Sequence, residues 1–232
     1  MTGLNCTESS DGITTAGRKG AKRLGLRPVK QAGCLFCIMT GLSFIALNSA
    51  LAATVPCISI KGEGDLETLT RLVLAEGIST ACLEGRESEV FGSIAWGVMN
   101  RVLLSEHYPK LARQFGRGVQ GVIFKPGQFN PAVSKRSRFA AYFTCPLKAP
   151  EASRLWPLAL QAASQALNSP EKNPFVETAW EKEQGLSLVT HFYYPRSEQA
   201  TVPPPAWASP KSKTLAKNLG PGCVQFFRVP KP

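Results

Sequence analysis

The spacing of apolar residues predicts a helix in each of two consecutive stretches of the chain. In the first, leucine and valine fall on one side of a helix over Leu66–Glu76. Asp65 stands where it can cap this helix, and Gly77 is a natural stop. The second stretch, about residues 89–104, is apolar nearly all round. A helix of that kind is expected to be buried in the middle of a domain.

The remaining pattern predicts shorter elements and long loops. A short basic helix is expected at Pro109–Phe115 and a basic, loop-like stretch at 131–149. Pro157 suits the first turn of a helix that runs to Leu167. Leu186–Tyr194 is the best candidate strand, and Val224–Val229 is a second one. The predicted fold class is therefore α+β but mostly α, as one domain with long loops and a small β element.

The N-terminal segment has the composition of a secretory signal. Residues 18–30 are basic without an acid, and an apolar run from Cys34 ends in Ala50-Leu-Ala52. A basic region, an apolar region and a small-x-small end predict a signal peptide over 1–52. An uncleaved membrane anchor is the alternative, because the apolar run nearly reaches spanning length. We expect cleavage, a domain over 53–232, and a periplasmic or wall-associated location.

The four cysteines that follow the signal are expected to form disulfides. They are Cys57, Cys82, Cys145 and Cys223. An even number of cysteines in an exported domain predicts two disulfides, with three possible connectivities. We favour Cys145–Cys223, because both lie on loop-like stretches, and Cys57–Cys82.

Charge and histidine content narrow the class of partner. The 27 lysines and arginines exceed the 16 acids, which gives a net charge of +11 and favours an anionic partner. Export argues against nucleic acid, and the membrane is expected as a partner only through an uncleaved N-terminal segment. Since His107 and His191 are the only histidines, we expect neither a multi-histidine metal site nor a cofactor.

Glu76 departs from the local pattern, because it puts a carboxylate on an apolar helix face. Desolvation there would raise its pKa, as a general acid near neutral pH requires. The alternative is that Glu76 turns to solvent at a frayed helix end. A lone histidine in an aromatic strand, such as His191, is more often structural than catalytic.

Trp207, Tyr193 and Tyr194 could form a sugar-stacking surface or simply fill the core. The amides of Gln128 and Asn130 could bind acetamido and hydroxyl groups or just stabilise a turn.

Six segments carry a further signal through their order. They are Ala75-Glu76, Gly92–Val102, Gly121–Phe129, Thr190–Tyr193, Pro205–Trp207 and Val224–Arg228. This order resembles the cell-wall hydrolase family of spore-cortex-lytic enzymes (SleB/CwlJ type), over about residues 66–229. The resemblance implies a lysozyme-like helical fold, peptidoglycan glycan strands as the partner, and cleavage as a lytic transglycosylase. It also implies that Glu76 is the catalytic acid.

From the quoted segments and their residue types we expect a set of substrate-binding residues. They are Asn100, Gln128, Phe129, His191, Tyr193 and Trp207. The family's short turn after the catalytic acid is replaced here by the longer segment Gly77–Glu87, so a second glutamate has no unique match.

Three other activities stay open from the sequence. A two-carboxylate glycan hydrolase would use Glu87 or Glu89 with Glu76. An N-acetylmuramoyl-L-alanine amidase would need several metal ligands. A non-catalytic peptidoglycan-binding module would need only the basic face and Trp207.

Overall fold

The computed structural model describes residue 57, residues 64–214, residue 216 and residues 219–232. All of them belong to one compact unit, Leu51–Pro232. The predicted signal peptide over 1–52 lies outside the described residues. Within the part of the chain that the structure describes, no helix is both long and apolar enough to cross a bilayer.

The described residues are mostly helical. The α-helices are α1 (Asp65–Ser79), α2 (Glu87–His107), α3 (Pro109–Phe115), α4 (Gly118–Ile123), α5 (Asn130–Val133), α6 (Ala140–Thr144), α7 (Pro150–Asn168) and α8 (Ala179–Gln184). The strands are β1 (Val189–Tyr193), β2 (Lys213–Thr214) and β3 (Gln225–Arg228), with 3₁₀ turns at Pro170–Lys172 and Pro210–Ser212. The predicted α+β class with mainly helical content is confirmed.

Helices α1, α2 and α7 pack against one another and form the core. The buried face of α7 carries small residues, such as Ala159 and Ala163, which let the helices approach closely. Helix α2 contributes larger core side chains, such as Phe91 and Ile94. The prediction that the second helix is buried is confirmed.

Helix α1 runs further than its sequence pattern predicts. Asp65 is its first helical residue and does not cap it; Gly64 takes the N-cap position without a side-chain bond. At the other end the helix passes Gly77 and ends at Ser79. Gly77 has room for no side chain, because the ring of Phe91 from α2 occupies that space. The last turn of α1 is therefore packed and not frayed.

Two other sequence predictions need correction. The stretch 131–149 is not a plain loop, because it contains part of α5 and the whole of α6. Helix α7 begins at Pro150, so Pro157 lies inside the helix and not in its first turn. Pro150 takes the position that suits proline, where the missing N–H has no partner to lose.

The three strands form an antiparallel sheet in the order β1-β3-β2. The register pairs His191 with Phe227 and Tyr193 with Gln225, with an irregularity between Val189 and His191. Two buried side chains of α2, Asn100 and Arg101, donate to backbone carbonyls of β1 and attach this strand to the core. Asn100 Nδ2 donates to the carbonyl of Val189 at 2.7 Å. This attachment fixes the strand that carries His191 and Tyr193.

Among the described residues there are two disulfides, Cys57–Cys145 and Cys82–Cys223. The expectation of two disulfides among these four cysteines is confirmed, but both favoured pairings are wrong. Cys82 follows the end of α1, and the segment just before β3 brings Cys223 to it across 141 residues of sequence. The favoured pairings are wrong because the fold returns its C-terminal segment to the end of α1, where Cys223 meets Cys82 and leaves Cys145 to Cys57.

Candidate active site

A cavity of about 370 Å³ lies beside the last turn of α1. Its walls come from α1, α2, the turn before α5, strand β1 and the segment that follows β1. The lining residues are Glu76, Ser79, Arg101, Gly127, Gln128, Asn130, Pro131, His191, Phe192, Tyr193, Tyr194, Ser197, Gln199, Ala200, Thr201, Pro205 and Trp207. Among these described residues, Glu76 is the only carboxylic acid.

Glu76 reaches the cavity from a nearly buried position, with 7% of the residue exposed. Burial raises the pKa of its carboxyl to about 7, although Tyr194 and Arg101 both act to lower it. The helix holds Glu76 in place, because the Ser79 hydroxyl donates to the Glu76 carbonyl at 2.8 Å. The alternative in which Glu76 turns to solvent is therefore wrong.

Arg101 brings a buried cation to the same cavity. Its Nε donates to the carbonyl of Thr190 at 2.7 Å, and its Nη1 donates to Gln128 Oε1 at 2.5 Å. The guanidinium lies 4.5 Å from the ring centre of Phe129 and 5.3 Å from that of Phe192. Such contacts suit a weakly hydrated planar cation and fix its orientation.

Burial lowers the pKa of Arg101 to about 10, while Glu76 and Tyr194 act to raise it. Arg101 therefore keeps its charge at neutral pH. When Glu76 loses its proton, the two groups carry opposite charges that attract each other; when Glu76 regains it, Arg101 remains as an uncompensated cation in the wall. This arrangement lets the carboxyl cycle between both forms near pH 7.

The Tyr194 hydroxyl lies in the same buried group. It has no hydrogen-bond partner of standard geometry. It still interacts with Glu76. Burial, the charge of Glu76 and a side-chain contact with Glu76 together raise the pKa of Tyr194 well above its usual value. A phenol that stays protonated is a hydrogen-bond donor at every physiological pH.

His191 also lines the cavity and is neutral. Burial, followed by the nearby charge of Arg101, lowers its pKa to about 4. Its Nδ1 lies 2.9 Å from the Thr190 hydroxyl. Its ring lies 5.0 Å from the ring of Trp207 and 5.9 Å from that of Phe115. A histidine with so low a pKa is not a proton donor at neutral pH.

Three further residues predicted to bind substrate also reach the cavity. Gln128 contributes its side-chain amide, which Arg101 holds in place. The Tyr193 hydroxyl donates to the carbonyl of Thr201 at 2.9 Å and so connects β1 to the segment that follows it. Trp207 is 41% exposed, which leaves an aromatic face open at the cavity edge. Together with His191 and Glu76, these residues form one site.

Asn100 and Phe129 do not line the cavity. Asn100 is fully buried, donates to the Val189 carbonyl and accepts from Asn173 at 2.6 Å. Phe129 is 1% exposed and packs against Arg101. Direct contact with a substrate is therefore wrong for both. They support the site, Asn100 by fixing β1 and Phe129 by holding the guanidinium.

Sequence reasoning assigned no role to Arg101, and it considered Tyr194 only as part of a sugar-stacking surface or as core filling. Arg101 did carry a usable signal, because an arginine inside a helix that is apolar nearly all round needs a partner such as a carboxylate. Tyr194 follows directly after β1 and gave no comparable signal. Among the described residues, no group of three or more His, Cys, Asp or Glu side chains is arranged to hold a metal ion.

The site therefore joins a protonatable carboxyl, a fixed cation and an open aromatic face. Such a carboxyl can give a proton to a bound oxygen at or below neutral pH and take one back afterwards. No protein-family model, curated protein or solved structure matches this chain.

Proposed function

We propose that this protein cleaves the glycan strand of peptidoglycan as a lytic transglycosylase, with Glu76 as its one catalytic acid. The observation that carries the proposal is a single carboxyl, with a pKa of about 7, as the only acid among the described residues that line the cavity. A two-carboxylate hydrolase needs a partner roughly 5–9.5 Å away across the sugar. Glu87 and Glu89 do not line this cavity.

The chemistry needs one group to act twice. Protonated Glu76 gives its proton to the oxygen between N-acetylmuramic acid and N-acetylglucosamine, and the bond from that oxygen to the muramoyl C1 breaks. The Glu76 carboxylate then takes the proton of the muramoyl 6-hydroxyl. The 6-oxygen forms a bond to C1 and closes a 1,6-anhydro ring. No water is consumed, and Glu76 ends the cycle protonated.

The neighbours of Glu76 suit both steps. The charge of Arg101 stabilises the carboxylate between the two steps, which keeps it from being too strong a base. The Tyr194 hydroxyl can donate a hydrogen bond to the carboxylate. Trp207 and Tyr193 offer rings on which a sugar can stack, and Gln128 offers an amide to acetamido and hydroxyl groups.

The rest of the molecule is consistent with work outside the cytoplasm. Two disulfides are typical of exported domains. A net charge of +11 favours an anionic wall. We include export, a location in the periplasm or at the wall, and a lysozyme-related arrangement of the helices in the proposal.

The test is digestion of purified sacculi, followed by mass spectrometry of the released muropeptides. We expect 1,6-anhydromuramoyl ends with the wild-type protein and none with Glu76→Gln. Reducing ends would replace the transglycosylase with a hydrolase, and free stem peptides would replace it with an amidase. Binding to sacculi without any product would leave a non-catalytic binding module.

A further inference from the structure

A second and larger cavity adjoins the first. Its volume is about 860 Å³, against about 370 Å³ for the cavity at Glu76. His191 and Trp207 line both cavities, so these two side chains form the wall between them. A ligand seated against Trp207 in the first cavity can therefore extend past it into the second.

The lining of the second cavity is aromatic and cationic. Trp180, Trp207 and Phe227 supply rings, while Lys211, Lys231 and Arg228 supply positive charge. None of the described residues that line it is an acid.

The three cations of this cavity are not equivalent. Arg228 Nη2 donates to Glu177 at 2.7 Å, and its Nε donates to buried Glu181 at 3.1 Å. Lys211 and Lys231 are exposed and make no ion pair with any described residue. Two lysines are therefore available to an incoming anion.

We propose that this second cavity binds the acidic stem peptide that the muramoyl residue carries, a proposal that rests on the function assigned to the Glu76 site. The glycan itself is uncharged in its sugar rings, whereas the stem peptide carries carboxylates and short apolar side chains. Those carboxylates match Lys211 and Lys231, and the small side chains match the rings of Trp180 and Trp207. A four-residue peptide spans about 14 Å when extended, which is enough to leave the shared wall and follow the cavity.

Direct binding tests the proposal without any cleavage. The probe is the free stem tetrapeptide, measured by calorimetry with the wild-type protein. We expect saturable binding that weakens about fivefold in the double variant Lys211→Ala/Lys231→Ala, since each exposed ion pair contributes modestly. The matched control is Lys172→Ala/Lys182→Ala, which removes the same charge from exposed positions outside both cavities and should bind normally.

Two competing ligands sharpen this measurement. The same tetrapeptide with every carboxylate amidated should bind weakly to the wild-type protein. A glycerol phosphate polymer tests whether any polyanion suffices. No binding of the free peptide, equal binding by the lysine variant, or equal binding of either competing ligand would overturn the proposal.

Cleavage kinetics separate this proposal from the proposed function. Glycan strands with and without stem peptides, prepared from the same sacculi, are compared as substrates. We expect Lys211→Ala/Lys231→Ala to lower kcat/KM about fivefold on the peptide-bearing strand and to leave it unchanged on the bare strand. Equal wild-type kcat/KM on both strands would overturn peptide recognition and leave the Glu76 chemistry intact. Peptide binding without any cleavage would overturn the Glu76 chemistry and leave peptide recognition intact.

Discussion

Two buried glutamates among the described residues have pKa values that are shifted in opposite directions. Glu76 is 7% exposed and Glu181 is 0% exposed, and each has an arginine nearby. Burial raises the pKa of Glu76 to about 7. Burial also acts to raise the pKa of Glu181, yet that pKa falls to about 2. A neighbouring arginine alone therefore does not decide which carboxyl keeps its proton.

Hydrogen bonds to the carboxylate account for the difference. The backbone amides of Thr178 and Leu188 donate to Glu181 at 2.9 Å each, and Arg228 donates at 3.1 Å. These bonds favour the ionised form and outweigh burial. Glu76 has only Tyr194 and Arg101 to favour ionisation, and neither makes a hydrogen bond of standard geometry to it.

The position along each helix explains why the donors differ. Glu181 lies in the first turn of α8 and completes a capping box with Thr178, where free N–H groups point at its carboxylate. Glu76 lies in the last turn of α1, where free carbonyls and the negative end of the helix dipole disfavour a carboxylate. The surroundings of Glu181 keep its carboxyl ionised and so stabilise the fold, whereas the surroundings of Glu76 let its carboxyl hold a proton.

The largest expected effect is on catalysis at Glu76. Glu76→Gln keeps the shape of the side chain but removes the proton donor, so glycan cleavage should fall about 10²–10⁴-fold or more. Turbidity loss of purified sacculi measures this rate. Glu87→Gln and Glu89→Gln are matched controls and should keep most of the activity. Near-normal lysis by a folded Glu76→Gln protein would remove Glu76 from the mechanism.

The next effect is on stability at Glu181. Its lowered pKa means that the ionised form stabilises the fold above about pH 4.5, and that this stabilisation is lost as the pH falls through about 2. Glu181→Gln should lower the free energy of unfolding by about 2–3 kcal/mol at pH 7, because two backbone amides lose their charged acceptor while Arg228 keeps Glu177. Denaturant unfolding at pH 7 measures the loss, and a loss under 1 kcal/mol would contradict this account.

The third effect has the opposite sign. Because the pKa of Glu76 is raised, the contribution of this group to stability is fully present below about pH 4.5 and is lost as the pH rises through about 7. Glu76→Gln avoids this loss and should be about 3 kcal/mol more stable than the wild type at pH 8. The difference should vanish near pH 4.5. Thermal unfolding of both proteins across this range tests the sign.

The smallest effect concerns Arg101 and the pH profile. Wild-type cleavage should fall about tenfold per pH unit above pH 7, as Glu76 loses its proton. Arg101→Met removes the charge that favours the carboxylate, so this descending limb should move to higher pH. Arg101→Lys keeps the charge and should leave the limb close to its wild-type position. If the descending limb of Arg101→Met stays at the wild-type pH or moves to lower pH, Arg101 does not lower the pKa of Glu76.

Much of the fold could be predicted because its elements follow local rules. The apolar pattern around α2 predicts a buried helix, and Pro109 marks the start of α3. The boundaries of α1 could not be predicted, since its end depends on Phe91 from another helix. The disulfide pairing also depends on contacts between segments that are distant in sequence.

The candidate site divides in the same way. Glu76 could be identified because a carboxylate on an apolar face breaks a local pattern. Asn100 and Phe129 belong to two of the six segments on which the resemblance rests. The sequence does not say whether their side chains face the cavity or the core. The role of Arg101 depends on Gln128 and Thr190, which come from other elements.

Gly77 has a consequence for anyone who would engineer this protein. Replacing a glycine inside a helix by alanine is a common way to raise thermal stability, worth roughly 1 kcal/mol. Gly77 looks suitable, since it lies inside α1. Gly77 directly follows Glu76, and a methyl group at Gly77 would meet the fully buried ring of Phe91. Gly77→Ala would therefore push α1 away from α2 and shift Glu76 with it.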